Sequence, residues 1–111
     1  MINFNIDEIK SKVTNDHFII SNHARLRMDQ YNINTDYLIS IIQNDEIIET
    51  YPSDFPCPSA LLLGNLKDSK YHIVLGNCND HIRIITLYIP SIDQWDNFRI
   101  RKSRKNETKS M

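Results

Sequence analysis

Three apolar stretches crowd the second half of this chain, at residues 60–66, 71–78 and 81–89, and very little separates them. Lys67-Asp68-Ser69 and Asn79-Asp80 are connectors of hairpin length, and the second suits a two-residue turn. Parallel neighbours need a crossover of a dozen or more residues, so strands joined this tightly run antiparallel. The pattern predicts a meander, with residues 46–51 as a further strand ahead of a loop that carries Pro52, Pro56 and Pro58.

The first half has a different period. Ile6, Ile9 and Val13 follow helical spacing behind Asn5 or Asp7 as a cap. Residues 17–20 read as a short strand. Ser21 then caps a second helix on which Ala24, Met28 and Tyr31 face the core. Asn34 or Thr35 caps a third, with Tyr37, Leu38, Ile41 and Ile42 as its apolar stripe. Helices first and strands afterwards predict an α+β fold, with N-terminal helices packed on one face of an antiparallel, mostly meander sheet.

A chain of 111 residues with 41% apolar and 24% charged side chains is expected to form one domain with its own core. Its longest apolar runs, such as Ala60-Leu61-Leu62-Leu63, fall far short of the roughly 18 residues of a membrane helix, so no membrane partner is expected. Met1-Ile2-Asn3-Phe4-Asn5 has neither the basic nor the apolar segment of a signal peptide. Cys57 and Cys78 lack CxxC spacing and are expected to be reduced thiols of a cytoplasmic protein. From Arg99 onward six basic side chains face Glu107 alone, a net +5, whereas residues 1–98 carry seven basic and thirteen acidic groups, a net −6. The expected division is therefore a domain over residues 1–98 and a basic, flexible tail over 99–111. Such a tail can meet nucleic acid phosphates, pair with an acidic protein, or simply be solvated.

Few residues can carry chemistry. His23 and Arg27 are four apart and share one face of the second helix, while Arg25 points about 200° away from His23. That pair is either a solvated surface or part of a site. Alternation along Tyr71-His72-Ile73-Val74-Leu75 puts His72 on a face with Val74, at least half-buried, in a structural or a catalytic role. In the last strand, alternation groups Ile82, Ile84, Thr86 and Tyr88 on one face and Arg83, Ile85, Leu87 and Ile89 on the other. Tyr88 either offers its hydroxyl to a cleft or sits at the rim with its tip in water. Trp95, the one tryptophan, is expected to pin the terminal segment to the sheet. With only Gly64 and Gly76 there is no phosphate-cradling loop, and the four histidines and two cysteines lack ligand spacing, so neither cofactor nor metal is expected.

Several of these segments, in order, resemble a bacterial family described as domain of unknown function 4258. The resemblance runs through Ile20-Ser21-Asn22-His23-Ala24-Arg25-Leu26-Arg27-Met28, Glu46-Ile47-Ile48-Glu49-Thr50-Tyr51-Pro52, Tyr71-His72-Ile73-Val74 and Ile84-Ile85-Thr86-Leu87-Tyr88-Ile89-Pro90, and ends at Trp95. It covers about three quarters of the chain. Tyr31-Asn32-Ile33 departs from the family, which usually has an arginine-glycine pair there, and Lys70-Tyr71-His72 replaces a smaller or proline-containing approach to the histidine.

The family is similar to small toxins of the RelE-like kind, which implies helices on a curved antiparallel sheet and a partner antitoxin, often of zinc-finger type. The expected function is then that of the toxin of a type II toxin–antitoxin system, a metal-independent endoribonuclease that cleaves mRNA, alone or on the ribosome. His72 and His23 would serve as base and acid, Arg27 would hold the phosphate, and Tyr88 would orient the nucleotide or share the proton. Arg25, Arg83, Arg99 and Arg101 are the expected RNA contacts. A second expectation, from the acidic body and the missing arginine near Tyr31, is a non-catalytic toxin-like module that binds a partner protein.

Overall fold

A computed structural model describes residues 4–102. The basic side chains Arg104, Lys105 and Lys109 of the expected tail lie outside these residues. The element order is α1 (Ile6–Thr14), β1 (Phe18–Ile20), α2 (Asn22–Gln30), α3 (Thr35–Gln43), β2 (Asp45–Tyr51), β3 (Ser59–Leu66), β4 (Ser69–Asn77), β5 (Ile82–Tyr88), β6 (Trp95–Asp96) and β7 (Ile100–Arg101).

Each helix begins where a short polar side chain satisfies its first amides. Asn5 Oδ1 accepts from the Asp7 and Glu8 amides at 2.9 and 3.2 Å, and Asn34 Oδ1 accepts from Tyr37 at 2.7 Å. Ser21 does double duty. Its hydroxyl accepts from the Ala24 amide at 3.0 Å and donates to the Ile85 carbonyl at 2.8 Å, so the cap also fastens α2 to the sheet. The predicted stripes are buried at Ile9, Val13, Ala24, Met28, Leu38, Ile41 and Ile42. Tyr37 departs from its stripe: it is 37% exposed, with the Lys67 ammonium 5.6 Å from its ring centre.

Five strands form one sheet in the order β1-β5-β4-β3-β2. The meander β2-β3-β4-β5 is antiparallel, as the connectors require. The sheet as a whole is mixed, however, because β1 lies parallel beside β5, with Phe18 opposite Ile82 and Ile20 opposite Ile84. Connector length constrains only strands that follow one another, and β1 reaches β5 from the far end of the chain.

Two bulges decide which side chains share a face. On β5, Leu75 pairs with Ile84 and Val74 with Thr86, which leaves Ile85 as an extra residue. Simple alternation therefore fails: Ile84 and Leu87 join the core under the helices, while Thr86 and Tyr88 turn to the other side with Val74 and His72. On β2 the register shifts between Ile47 and Glu49, so that Glu46, opposite Leu63, and Glu49, opposite Leu61, share the face away from the helices.

The helix side is an apolar cluster that includes Leu62, Ile73, Leu75, Ile82, Ile84 and Leu87. Gly64 lets α3 approach closely: a Cβ there would lie 2.5 Å from Ile41 Cγ2 and 2.7 Å from its carbonyl oxygen. One carboxylate intrudes. Asp45 has a fully buried side chain whose oxygens lack hydrogen-bond partners among the described residues, with Lys10 Nζ 3.9 Å away. Burial pushes its carboxyl up to about 7, against the opposing pull of Lys10.

Cys57 and Cys78 are joined as a disulfide, with their Cα atoms 5.2 Å apart, rather than free as the missing CxxC spacing suggested. The β3–β4 register explains it. Ser59 faces Gly76, and two further steps outward bring Cys57 opposite Cys78. The bridged pair also removes the thiol argument for a reducing compartment. No helix of the described residues is long and apolar enough to cross a membrane.

Candidate functional site

The face away from the helices is crossed by the small β6–β7 hairpin, where Trp95 pairs with Arg101 and Asp96 with Ile100. The boundary expected at residue 99 falls inside this hairpin. Lys102 still donates its amide to the Gln94 carbonyl at 2.9 Å. Under the hairpin lies His72, with no exposed surface.

Both imidazole nitrogens are engaged. Nε2 lies 2.7 Å from the Phe98 carbonyl oxygen, which can only accept, so Nε2 carries the proton. In the neutral ring Nδ1 is then the acceptor, and the Tyr88 hydroxyl donates to it at 3.2 Å. Burial holds the imidazole below its usual range, partly offset by the Phe98 carbonyl, so the neutral form dominates near pH 7. Burial likewise raises the Tyr88 phenol. Trp95 packs edge-on against the imidazole, ring centres 4.4 Å apart at 88°, and the Arg101 guanidinium sits 4.7 Å from the indole centre.

A carboxylate network continues from there. Arg101 Nε and Nη2 donate to the two oxygens of Glu49 at 2.9 and 3.2 Å, and Tyr51 donates its hydroxyl to Glu49. Burial alone would raise Glu49; the bonds from Arg101 and Tyr51 outweigh it and hold the carboxyl below the usual range. Arg99 grips Glu46 in the same two-pronged way, at 2.8 and 3.0 Å, and lowers it too. The cluster is therefore a neutral histidine and a phenol behind a strip of paired charges.

Of the residues singled out from the sequence, His72 and Tyr88 meet directly. His23 is exposed on α2, and Arg27, half-buried there, donates to Gln30 Oε1 at 3.2 Å. Among the described residues no hydrogen bond or ion pair connects either of them to His72 or Tyr88. Arg25 borders a cavity of about 250 Å³ with Asp29 and Asn34. Arg83 is exposed at the opposite end of β5, in an open cavity of about 540 Å³ beside the Cys57–Cys78 bridge. Arg99 and Arg101 are near the histidine, but both are held by carboxylates.

Glu49, Tyr51 and the Phe98 carbonyl were not anticipated. The i, i+2 spacing of Glu49 and Tyr51 already placed them on one strand face, and Arg99 and Arg101 share that spacing. Nothing in the sequence brought those two segments together. Among the described residues no three His, Cys, Asp or Glu side chains are grouped to hold a metal ion.

No curated protein and no solved structure matches the chain. The sequence profile of a family described as "Domain of unknown function (DUF4258)" matches residues 20–89, from the end of β1 to just past Tyr88. That span contains His23, Arg27, Glu49, His72 and Tyr88, and it covers well over half of the chain, which therefore belongs to the DUF4258 family.

Proposed function

We propose that this domain is a metal-independent endoribonuclease, the toxin of a type II toxin–antitoxin pair with a RelE-like fold. The observation that carries this reading is the Tyr88 hydroxyl donating to Nδ1 of a buried, neutral His72. Cleavage of RNA by its own 2′-hydroxyl requires a base for that proton. Tyr88 can take it as it passes its own proton to His72 Nδ1. The resulting imidazolium keeps its Nε2 proton, for which the Phe98 carbonyl is the acceptor while the β6–β7 hairpin is closed. The 2′-oxygen then attacks phosphorus, and the departing 5′-oxygen takes a proton, leaving a 2′,3′-cyclic phosphate. His23 and Arg27 belong to α2, which packs on the other side of the sheet from Tyr88. This reading therefore gives them no part in the proton transfer, and the leaving oxygen takes its proton from water. The antitoxin is a partner protein, of zinc-finger type if it follows the family resemblance.

A test needs an isosteric change. Tyr88→Phe keeps the ring and removes the proton path, so cleavage of a labelled RNA should fall by about 10²-fold or more while the melting temperature drops by only about 5 °C. His23→Ala and Arg27→Ala, both on α2 on the other side of the sheet, should leave cleavage nearly unchanged. Wild-type protein that leaves RNA intact with and without ribosomes would sink the reading.

A second reading, a toxin-like module that binds a partner without catalysis, draws on one observation: His72 is fully buried with both nitrogens satisfied, as a structural histidine would be. Under it Tyr88→Phe changes stability alone.

A further inference from the structure

The β6–β7 hairpin is held to the rest of the molecule in an unusual way for a segment that covers a buried histidine. Its two strands are only two residues each. Its turn places two consecutive non-glycine residues, Asn97 and Phe98, in the left-handed region at φ 53° and 63°, a conformation that disfavours bulky side chains. Phe98 is the residue whose carbonyl receives the His72 proton. Beside the Phe98–His72 bond and the buried Trp95, its anchors across the sheet are the Arg99–Glu46 and Arg101–Glu49 pairs, and all four of those side chains remain partly exposed, the arginines by 38% and 61%.

Geometry makes the pairs equivalent. Arg99 and Arg101 are two residues apart, and the β2 bulge gives Glu46 and Glu49 the matching spacing despite their three-residue separation. Each carboxylate presents two oxygens to a guanidinium fork, which is also how a phosphodiester presents itself. Both pairs are bidentate but partly exposed, so water, salt and a competing anion can reach both partners. A ligand with phosphates in series can take the same forks and gains by releasing counterions. Beyond Lys102 the chain adds Arg104, Lys105 and Lys109, so the cationic row continues in sequence past the hairpin.

We propose that the β6–β7 hairpin is a strap, shut over His72 by Glu46 and Glu49, and that the phosphodiester backbone of single-stranded RNA opens it by displacing those carboxylates from Arg99 and Arg101. The strap rests on the reading of RNA as substrate and adds its regulation. In the closed state the Phe98 carbonyl and Trp95 cover the imidazole; in the open state the two arginines hold the backbone and Nε2 of His72 is uncovered.

Trp95 is the one tryptophan in the chain and lies between His72 and Arg101, so it reports the strap directly. The probe is a single-stranded 2′-O-methyl RNA oligonucleotide, which lacks the attacking hydroxyl and stays intact. Saturating it onto the wild-type protein should shift Trp95 emission to the red and increase its quenching by iodide. Glu46→Gln with Glu49→Gln should bind the oligonucleotide about tenfold more tightly, with Trp95 already more accessible before RNA is added. Arg99→Gln with Arg101→Gln should abolish the tighter binding. Trp95 emission unmoved at saturation overturns the strap without recourse to any variant. So does a Glu→Gln pair that lowers the melting temperature with no gain in affinity. Cleavage of ordinary RNA is scored separately: intact RNA with a moving Trp95 rejects the nuclease and keeps an RNA-responsive strap, whereas cleaved RNA with a silent Trp95 rejects the strap alone.

Discussion

On the face covered by α1, α2 and α3, Ile73, Leu75, Ile84 and Leu87 are shut away from solvent in one apolar cluster, and the Asp45 carboxylate is buried on the same side. On the opposite face the same strands carry His72, Tyr88, Glu49 and Tyr51, joined by hydrogen bonds and closed by a short hairpin with two arginine–carboxylate grips. The first face gains its stability from area removed from water, which is indifferent to direction. The second depends on donors meeting acceptors, which fixes geometry and proton position while adding modest net stability. The difference shows where this fold keeps its strength and where it keeps its chemistry.

That contrast can be broken in measurable ways. The largest effect should come from the helix side: Ile73→Ala leaves a cavity in the cluster and should cost about 2–5 kcal/mol by denaturant titration. A loss under 1 kcal/mol would mean that the two faces do not divide the work as described. Next is the Cys57–Cys78 bridge, which spans 21 residues and should contribute about 3 kcal/mol by restricting the unfolded chain. Adding a thiol reductant, or replacing both cysteines by serine, should lower the melting temperature, and equal melting with and without reductant would speak against the bridge.

Asp45 should then give the apolar face its pH dependence. The unfolded chain releases this proton near 3.8 and the folded one near 7, so the folded state holds more protons between those values. Stability should fall as pH rises from about 4 to 7, by up to about 4 kcal/mol on the full shift and by less where the chain relaxes around the buried charge, and level off above that, once both states have lost the proton. Asp45→Asn should flatten the profile. Glu46 and Glu49, both lowered by their arginines, act in the opposite direction, and what they add is lost as pH drops below the ordinary carboxylate range. The smallest stability effect should be that of Tyr88→Phe, about 1 kcal/mol, because one hydrogen bond to a buried imidazole disappears while the ring remains. A much larger loss would place Tyr88 among the supports of the fold.

Much of the helix side was legible in advance. Ile9, Val13, Leu38, Ile41 and Ile42 follow a 3.6-residue period, and Ser21 and Asn34 stand at their caps, because local backbone chemistry and burial repeat at fixed intervals. His72 was expected at least half-buried on a face with Val74, and it is there. The face of Tyr88 was not legible as a shared one with His72, since a single extra residue at Ile85 reverses the alternation. The partnership of β1 with β5 and the Cys57–Cys78 bridge depend on register between distant segments, for which neither hydrophobic period nor cysteine spacing carries a signal.

The sequence by itself determined the helices, their caps, the antiparallel meander and membership of the DUF4258 family, because each rests on residues close together or on motifs in order. The tertiary structure alone decided the proton on His72 Nε2, the grips of Arg99 on Glu46 and of Arg101 on Glu49, and the hairpin that closes over them. A hydrogen bond needs its partners within about 3 Å at a definite angle, and two bulges and a strained turn, rather than any local preference, bring these groups that close.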